Sequence, residues 1–253
     1  MSSAAVHHLE SLLQARRLDR TVPRSWEADV VRAPTGVPAL DEALAGGWRR
    51  GEVSEILGCR SSGRTGVLIS TLAAATSRGE IVGLVDAFDR FDPVSAAAAG
   101  LDLDRVLWVR GASLISGMPG PGRTHPFAKW RLTEEGVSRA VRALDLIVRA
   151  GGFGIAALDL AGVPVRAFGA LPYTTWMRLA HANEGQPSVC LLVGEASMGR
   201  SARGASVELD ASGQWTGSSR QSRRFAGFDV RARIAQAQRG TDREPQWMLR
   251  AVC

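Results

Sequence analysis

The sequence has 253 residues, of which 45% are hydrophobic and 22% are charged. This length and composition suit one large or two small globular domains, and they exclude a disordered chain and a disulfide-stapled mini-protein. No apolar run approaches the roughly 20 residues that a membrane-spanning helix needs, and the N-terminus lacks the features of a secretory signal. We therefore expect a cytoplasmic protein without a membrane partner.

Basic residues outnumber acidic ones by 31 to 25, and all of the basic residues except Lys129 are arginines. A GC-rich coding background produces such a bias, so the number of arginines alone says little about ligands. Their distribution says more, because the stretch 199–239 holds eight arginines and only three acidic residues. A polyanion is the expected partner of this stretch, and a solvated surface is the alternative. The arginines expected to contact DNA are Arg200, Arg203, Arg220, Arg223 and Arg224.

The first predicted element is an amphipathic helix near the N-terminus, followed by an extended linker over residues 21–34. We take residues 1–34 as an N-terminal segment and residues 35–253 as one core domain. A helix of about 15 residues is marginal alone in water, so its apolar stripe needs a surface to pack against. A partner protein is the expected surface, and the chain's own sheet is the alternative. The residues of this stripe are Val6, Leu9 and Leu13.

From Gly51 onward the pattern alternates between apolar strands and helices. This alternation predicts an α/β core with a mostly parallel central sheet flanked by helices. Residues 111–132 are rich in glycine and proline and are predicted to be a surface loop, with the next helix beginning at Glu134. After residue 199 the pattern changes to short strands separated by polar, basic loops at 199–224. These strands are expected to extend the sheet in antiparallel fashion at one edge.

One loop between a predicted strand and a predicted helix has the pattern of a phosphate-binding loop. Residues 58–65, GCRSSGRT, match G-x-x-x-x-G-K-[ST] except that arginine stands in the lysine position. In that context backbone N–H groups and a helix N-terminus face phosphate oxygens, and the threonine hydroxyl faces magnesium. Arginine is bulkier and planar, so this replacement is not conservative. The candidate nucleotide-binding residues of the loop are Gly58, Ser62, Gly63, Arg64 and Thr65.

A further candidate ends a predicted strand, where Asp159 follows four apolar residues in GIAALDLAG. In the Walker B pattern a carboxylate at this place holds magnesium through water. An aspartate that only shapes the turn after the strand is the alternative. The phosphate loop earlier in the chain favours the magnesium role.

Together these blocks resemble the RecA family over about residues 35–240. TGVPALDEALAGGWRRGEVSEILGCRSSGRT is similar to that family's stretch through the phosphate loop, and LVDAFDRFDPVSAAAAGLDLDRVLWV resembles its next strand, helix and strand. The resemblance implies a RecA-like core in which Asp92 contacts the nucleotide. It also implies a mobile, DNA-contacting loop after the strand SVCLLVG, and an N-terminal segment that packs on a neighbouring subunit.

The chain departs from the family's pattern at four positions with separate roles in nucleotide binding or hydrolysis. The phosphate lysine, the water-activating glutamate, the adenine-stacking tyrosine and the phosphate-sensing glutamine are replaced by Arg64, Phe88, Ser95 and Glu195. A phenyl ring cannot accept a proton, and the adjacent Asp89 should point to the other face of an extended segment. We therefore expect a protein without catalytic residues or a metal site. It would require no cofactor, with ATP and magnesium as weak or vestigial ligands.

A short, degenerate RecA-like core behind an N-terminal helix resembles the ImuA family of mutasome accessory proteins. That resemblance rests on the lost catalytic residues and on length, since the chain ends soon after the core. It implies a role in SOS-induced translesion synthesis and DNA repair, with a nucleoid-associated cytoplasmic location. The implied partners are RecA, ImuB, an error-prone C-family polymerase and DNA, bound without sequence specificity and preferably single-stranded.

Two other function classes stay open. A DNA-dependent ATPase or recombination mediator would use Arg64 in place of the lysine and Asp89 or Glu195 as the base. A division inhibitor of the SulA type would share the core without needing DNA contacts.

Overall fold

The computed structural model describes residues 31–111, 126–163, 171–219, 221–236 and 246–250, and the side chains of all of these except 126–133, 236 and 246–250. The predicted N-terminal helix with Val6, Leu9 and Leu13 lies outside the described residues, and so does Arg220. Contacts group the chain from Arg32 to Cys253 into one compact unit. Within the described ranges, no helix has the length and apolar character that a membrane crossing requires.

Strands and helices alternate through the first part of the core, as predicted. The described elements are β1 (Arg32–Ala33), α1 (Pro38–Ala43), β2 (Trp48–Arg49), β3 (Val53–Gly58), α2 (Arg64–Ser77), β4 (Ile81–Asp86), α3 (Pro93–Ala98), β5 (Val106–Arg110), α4 (Pro126–Ala150), β6 (Phe153–Asp159), α5 (Tyr173–Asn183), β7 (Val189–Gly194), β8 (Ala205–Thr216), β9 (Arg224–Gln236) and β10 (Gln246–Arg250). A short 3₁₀ helix, Leu103–Arg105, precedes β5.

Eight of the described strands form one sheet in the order β10-β9-β8-β3-β7-β6-β4-β5. All neighbours from β8 to β5 pair in parallel. β9 runs antiparallel to β8, and β10 runs antiparallel to β9. This topology confirms the predicted α/β core with antiparallel strands at one edge. β1 and β2 form a separate antiparallel pair.

Helices cover both faces of the sheet, as the apolar runs of its parallel strands require. α1, α2 and α3 pack on one face, in a core cluster that includes Leu40, Leu72 and Val207. α4 and α5 pack on the other face, in a cluster that includes Leu144 and Trp176. Because parallel strands end at a common edge, the segments that follow β3, β4, β6 and β7 gather at the carboxyl edge of the sheet. That edge positions the candidate nucleotide residues.

The prediction of a surface loop over residues 111–132 is wrong for residues 126–132. Residues 126–132 belong to α4, which begins at Pro126 rather than at Glu134. Proline suits the first position of a helix, because its φ angle is already helical and its missing N–H has no partner there. The glycines and prolines before it made the whole stretch resemble a loop.

Two of the strands at the antiparallel edge, β8 and β9, are longer than predicted. β8 has 12 residues and β9 has 13, so they form a long hairpin that includes much of the expected basic loop at 199–224. The outer half of β8, ASGQWT, has little intrinsic strand preference. Its pairing with β9 continues as far as Thr216 and Arg224. The cross-strand ladder therefore overrides local propensity here.

Candidate functional site

The candidate phosphate loop joins β3 to α2 as predicted. Gly63 has a φ of 90° immediately before α2, a conformation that favours glycine. A Cβ on Gly58 would overlap the Ser62 hydroxyl, so the first glycine of the pattern is also required by packing. The Ser62 hydroxyl is buried and has no hydrogen-bond partner in the described part of the chain. Thr65 lies exposed in the first turn of α2.

Arg64 does not present a free charge to this loop. Its side chain is buried, and its Nη1 donates to the Gly58 carbonyl. Both Nη atoms lie 3.5 Å from Oε1 of Glu195, which follows β7 at the carboxyl edge of the sheet. Two departures that the sequence presents as separate losses thus form one ion pair. The positive charge of the guanidinium is therefore partly balanced by the Glu195 carboxylate.

The residues after β4 do not offer a general base. Phe88 packs against the core cluster of α4 and α5, and the guanidinium carbon of Arg90 lies 5.9 Å from the centre of its ring. The Asp89 carboxylate accepts two hydrogen bonds from Arg110, each 2.9 Å long. These bonds hold the pKa of Asp89 below its usual range. A paired carboxylate of low pKa is a poor proton acceptor at neutral pH.

Asp159 lies at the end of β6, opposite Asp86 at the end of β4. Burial raises the pKa of the Asp159 carboxyl; the hydrogen bond from the Ala161 N–H opposes this rise, and the nearby Asp86 carboxylate adds to it. The Ala161 bond is 2.8 Å long, so Asp159 also shapes the turn after β6. Asp86 accepts hydrogen bonds from the N–H groups of Arg90 and Phe91. Both aspartates are therefore already engaged by the protein.

Asp92 caps the N-terminus of α3. Its carboxylate accepts hydrogen bonds from the Val94 N–H, at 3.2 Å, and from the Ser95 hydroxyl. The Ser95 bond is the main reason that the pKa of Asp92 lies below its usual range. Ser95, at the position of the expected adenine-stacking ring, thus serves the helix cap instead.

A nucleoside triphosphate with magnesium is the ligand that the resemblance implies, and these contacts do not fit it. The loop backbone has a suitable shape, but its cation is paired with Glu195, whose carboxylate would repel the terminal phosphate. Among the residues whose side chains are described, no group of three histidine, cysteine, aspartate or glutamate residues could hold a metal. The Arg64–Glu195 pair therefore disfavours a terminal phosphate at this position.

A buried carboxylate that the sequence did not suggest fixes the segment after β7. Glu55, in the middle of β3, has no exposed surface. It accepts hydrogen bonds from the N–H groups of Met198 and Gly199, at 2.7 and 2.8 Å, and from the hydroxyls of Ser197 and Ser206. The resemblance implied a mobile loop here, whereas this network ties residues 197–199 to the sheet. The only sequence signal was an acidic residue inside an otherwise apolar strand.

The structure does not bring the candidate DNA-binding arginines together. Arg200 and Arg203 lie in the segment before β8, where the neighbouring Ser201 N–H donates to the Val53 carbonyl at the start of β3. Arg223 and Arg224 lie beyond the opposite end of β3, at the far end of the hairpin. At about 3.3 Å per residue along β8, the two groups are roughly 40 Å apart. The four described arginines therefore form two separate basic groups, and their contact with DNA stays a prediction.

Comparison with known proteins finds sequence similarity to RecA. Residues 14–112 match the family model of the RecA N-terminal domain. This part of the chain is related to RecA. It is 42% identical to Protein RecA of Prochlorococcus marinus over 74 residues, which cover 29% of this chain and 20% of that protein. It is 47% identical to Protein RecA of Symbiobacterium thermophilum over 75 residues, covering 29% and 21%.

A longer match, 32% identical over 134 residues, is with Protein RecA of Lactobacillus acidophilus, and it covers 53% of this chain and 31% of that protein. The chain thus spans between a fifth and a third of the length of these relatives. The matched family region, 14–112, includes the phosphate loop and the segment with Phe88, Asp89 and Asp92. It ends before Asp159 and Glu195, so it does not include those two residues.

Proposed function

We propose that this chain is a non-catalytic RecA-like accessory protein in DNA damage tolerance, of the kind represented by the ImuA family. It binds RecA or the translesion polymerase components, namely ImuB and an error-prone C-family polymerase. It also binds DNA without sequence specificity. It does so without turning over ATP and without requiring a cofactor.

The observation that carries this proposal is the ion pair between Arg64 and Glu195. It supplies from within the protein the counter-charge that a nucleotide phosphate would supply in an ATPase. The loss of the base at Phe88 and the engagement of Asp89 by Arg110 support the same conclusion. The core is RecA-like, but side chains at its candidate nucleotide site bind one another. Such a core is suited to binding partner molecules rather than to hydrolysing ATP.

ATP hydrolysis by the purified chain, with and without single-stranded DNA, tests the catalytic part of the proposal. Losing a general base costs about 10²- to 10⁴-fold in rate, and the engaged Arg64 adds to this loss. We expect no turnover above that of a buffer control. Hydrolysis stimulated by single-stranded DNA would instead support the ATPase or recombination-mediator alternative.

Capture of purified RecA and of purified ImuB by the immobilised chain tests the partner part. The matched variants are Val6→Glu/Leu9→Glu/Leu13→Glu, which removes the predicted apolar stripe, and Ser11→Glu on the opposite side of the predicted helix. We expect the stripe variant to fold and to lose capture, while the Ser11 variant captures normally. A stripe variant that aggregates would support packing of the helix on the chain's own sheet. Inhibition of division-tubulin assembly, without capture of either partner, would favour the SulA-like alternative.

A further inference from the structure

The β8–β9 hairpin carries a row of aromatic side chains that extends beyond the core. Val207, Leu209 and Phe228 belong to the core-facing side of the hairpin and pack in the cluster beneath α2. Trp215 and Phe225 continue the same side further out, as cross-strand partners near the end of the hairpin. The side chain of Trp215 is 57% exposed and that of Phe225 is 38% exposed. The apolar face of the hairpin is therefore longer than the core that covers it.

A β-bulge aligns the three rings on one face. Trp215 pairs with Phe225 and Gln214 pairs with Gly227, so Ala226 is an extra residue without a partner. In a regular strand Phe225 and Phe228 would point to opposite faces, because side chains alternate. The extra residue restores them to the same face, as a bulge does when it re-aims a side chain.

The rings contact one another edge to face. The centres of Trp215 and Phe225 are 5.4 Å apart, and those of Phe225 and Phe228 are 4.9 Å apart, with interplanar angles of 70° and 68°. Gly213 lies beside both rings: a Cβ there would be in ordinary contact with them, 3.4 Å from Nε1 of Trp215 and 3.7 Å from the Phe225 ring. The row is thus a packed cluster with two of its rings open to solvent.

The charged residues nearest to Trp215 and Phe225 in the sequence are of one sign. Arg223 and Arg224 precede Phe225 directly and both are exposed, with Arg224 on the other face of β9 from Phe225 because side chains alternate along a strand. The sequence between Asp210 and Asp229 contains no acidic residue. An apolar protein surface would be a poor match for this concentration of positive charge, whereas a polyanion with flat apolar groups would match both features.

We propose that Trp215 and Phe225, flanked by Arg223 and Arg224, form a base-stacking site for single-stranded nucleic acid. Exposed aromatic rings beside cations are the common platform for single strands, because every base has a face to stack and every link carries a phosphate. In a duplex the base faces are already stacked on one another, so only unpaired bases can use the rings. The inference deepens the DNA-binding part of the proposed function and rests on it, but it assigns the base contact to residues outside the nucleotide loop.

The test compares two strands that differ only in their bases. Binding of the full chain to a fluorescein-labelled thymidine 20-mer and to an abasic strand of equal length is measured by fluorescence anisotropy. Stacking of a single base predicts that the thymidine strand binds about 5- to 150-fold more tightly. In Trp215→Ala/Phe225→Ala we expect that difference to disappear, while the abasic strand binds as it does to the unmodified chain.

Control variants separate stacking at this site from the loss of any exposed ring and from unfolding. Tyr173→Ala removes an exposed ring on α5, and it should keep the preference for bases. Trp215→Phe retains an aromatic ring and should keep most of the preference for the thymidine strand. Melting temperature, followed by circular dichroism, establishes that each variant is folded.

The possible failures are distinguishable. Equal binding of both strands by the unmodified chain would overturn the stacking site but leave charge-driven DNA binding intact. Binding of neither strand at low salt would overturn the DNA-binding part of the proposed function as well. If the double alanine variant keeps its preference for bases and instead loses self-association in sedimentation, the rings are a contact between copies of the chain and the inference is wrong.

Discussion

The guanidinium of Arg64 lies 3.5 Å from the carboxylate of Glu195, although 131 residues separate them in the sequence. Each residue alone is unsuited to a nucleotide: arginine lacks the compact charge of lysine, and glutamate repels phosphate. Together they form an ion pair at the carboxyl edge of the sheet, so each charge has a partner of opposite sign. The two residues of the candidate site thus contact one another within the protein.

Opening this pair should restore nucleotide binding without restoring hydrolysis. In Arg64→Lys/Glu195→Gln, the loop regains a compact cation and loses the carboxylate that opposes the terminal phosphate. We expect this variant to bind ATP at least about tenfold more tightly than the unmodified chain, a difference of ~1.4 kcal/mol, measured by calorimetry. Hydrolysis should stay near background, because Phe88 and the paired Asp89 still supply no base.

The single variants complete a double-mutant cycle for that prediction. Arg64→Lys alone leaves the Glu195 carboxylate in place, and Glu195→Gln alone leaves the bulky guanidinium. Each single variant should therefore gain less ATP affinity than the double variant. Arg64→Lys/Phe88→Glu should not reach full activity either, since Glu195 and Ser95 are unchanged. ATP binding by the unmodified chain that equals binding by the double variant would contradict the interpretation of the pair as a block.

Glu55 should be among the residues most important for stability. Glu55→Gln replaces a carboxylate that accepts from several donors with an amide whose NH₂ faces those donors. Leaving buried N–H and hydroxyl groups unpaired costs ~2–4 kcal/mol, which urea unfolding would measure. The segment after β7 should also become a trypsin site at Arg200 and Arg203. Glu208→Gln, on the exposed side of β8, is the control and should change the free energy of unfolding by less than about 0.5 kcal/mol.

Asp159 should make stability fall as the pH rises. Burial raises its folded-state pKa above the usual value of 3.8, so the folded chain holds this proton more tightly than the unfolded chain does. The free energy of unfolding therefore decreases from pH 3.8 up to the folded-state pKa and stays lower above it. Asp159→Asn cannot ionise and can still accept from Ala161, so it should melt at a higher temperature than the unmodified chain at pH 7 and at a similar temperature at pH 3.

Asp89 provides the control of opposite sign for that experiment. Its pKa is lowered by the hydrogen bonds from Arg110, so its contribution is present above pH 3.8 and is lost as the pH falls through the lowered value. Asp89→Asn should therefore melt at a lower temperature at pH 7. If both asparagine variants shift the melting temperature in the same direction, the linkage argument does not hold.

The order of strands and helices could be predicted because the parallel strands are buried on both faces. Such strands appear as continuous apolar runs, and the glycines of the phosphate loop mark where the first of them ends. A polar residue inside such a run cannot be interpreted in the same way. Glu55 lies inside one of these runs, and its hydrogen-bond donors come from residues more than 140 positions later. A strand pattern gives no information about which distant N–H groups a carboxylate meets.

The position of the candidate site could be predicted from the sequence, but the contacts within the site could not. Local patterns placed Asp159 and the loop around Arg64 correctly at the ends of strands, because motif and strand end coincide. The pairing of Arg64 with Glu195 depends on β3 and β7 being neighbours in the sheet, which a linear pattern does not specify. The arginines were grouped because they are close in sequence, whereas the length of β8 separates them.

The separation of the two basic groups leads to a prediction about salt dependence. For the unmodified chain, contacts to about three to five phosphates give a log–log slope of roughly −2 to −4 on single strands. Arg200→Gln/Arg203→Gln and Arg223→Gln/Arg224→Gln should each reduce the size of the slope by up to about 1.4, at ~0.7 per phosphate. Because the groups are roughly 40 Å apart along β8, their losses should add in the fourfold variant. Arg142→Gln/Arg178→Gln, on exposed positions of α4 and α5, is the charge-matched control and should leave the slope unchanged. An equal effect of the control pair would mean that net charge alone attracts DNA, and no effect of any pair would make both groups a solvated surface.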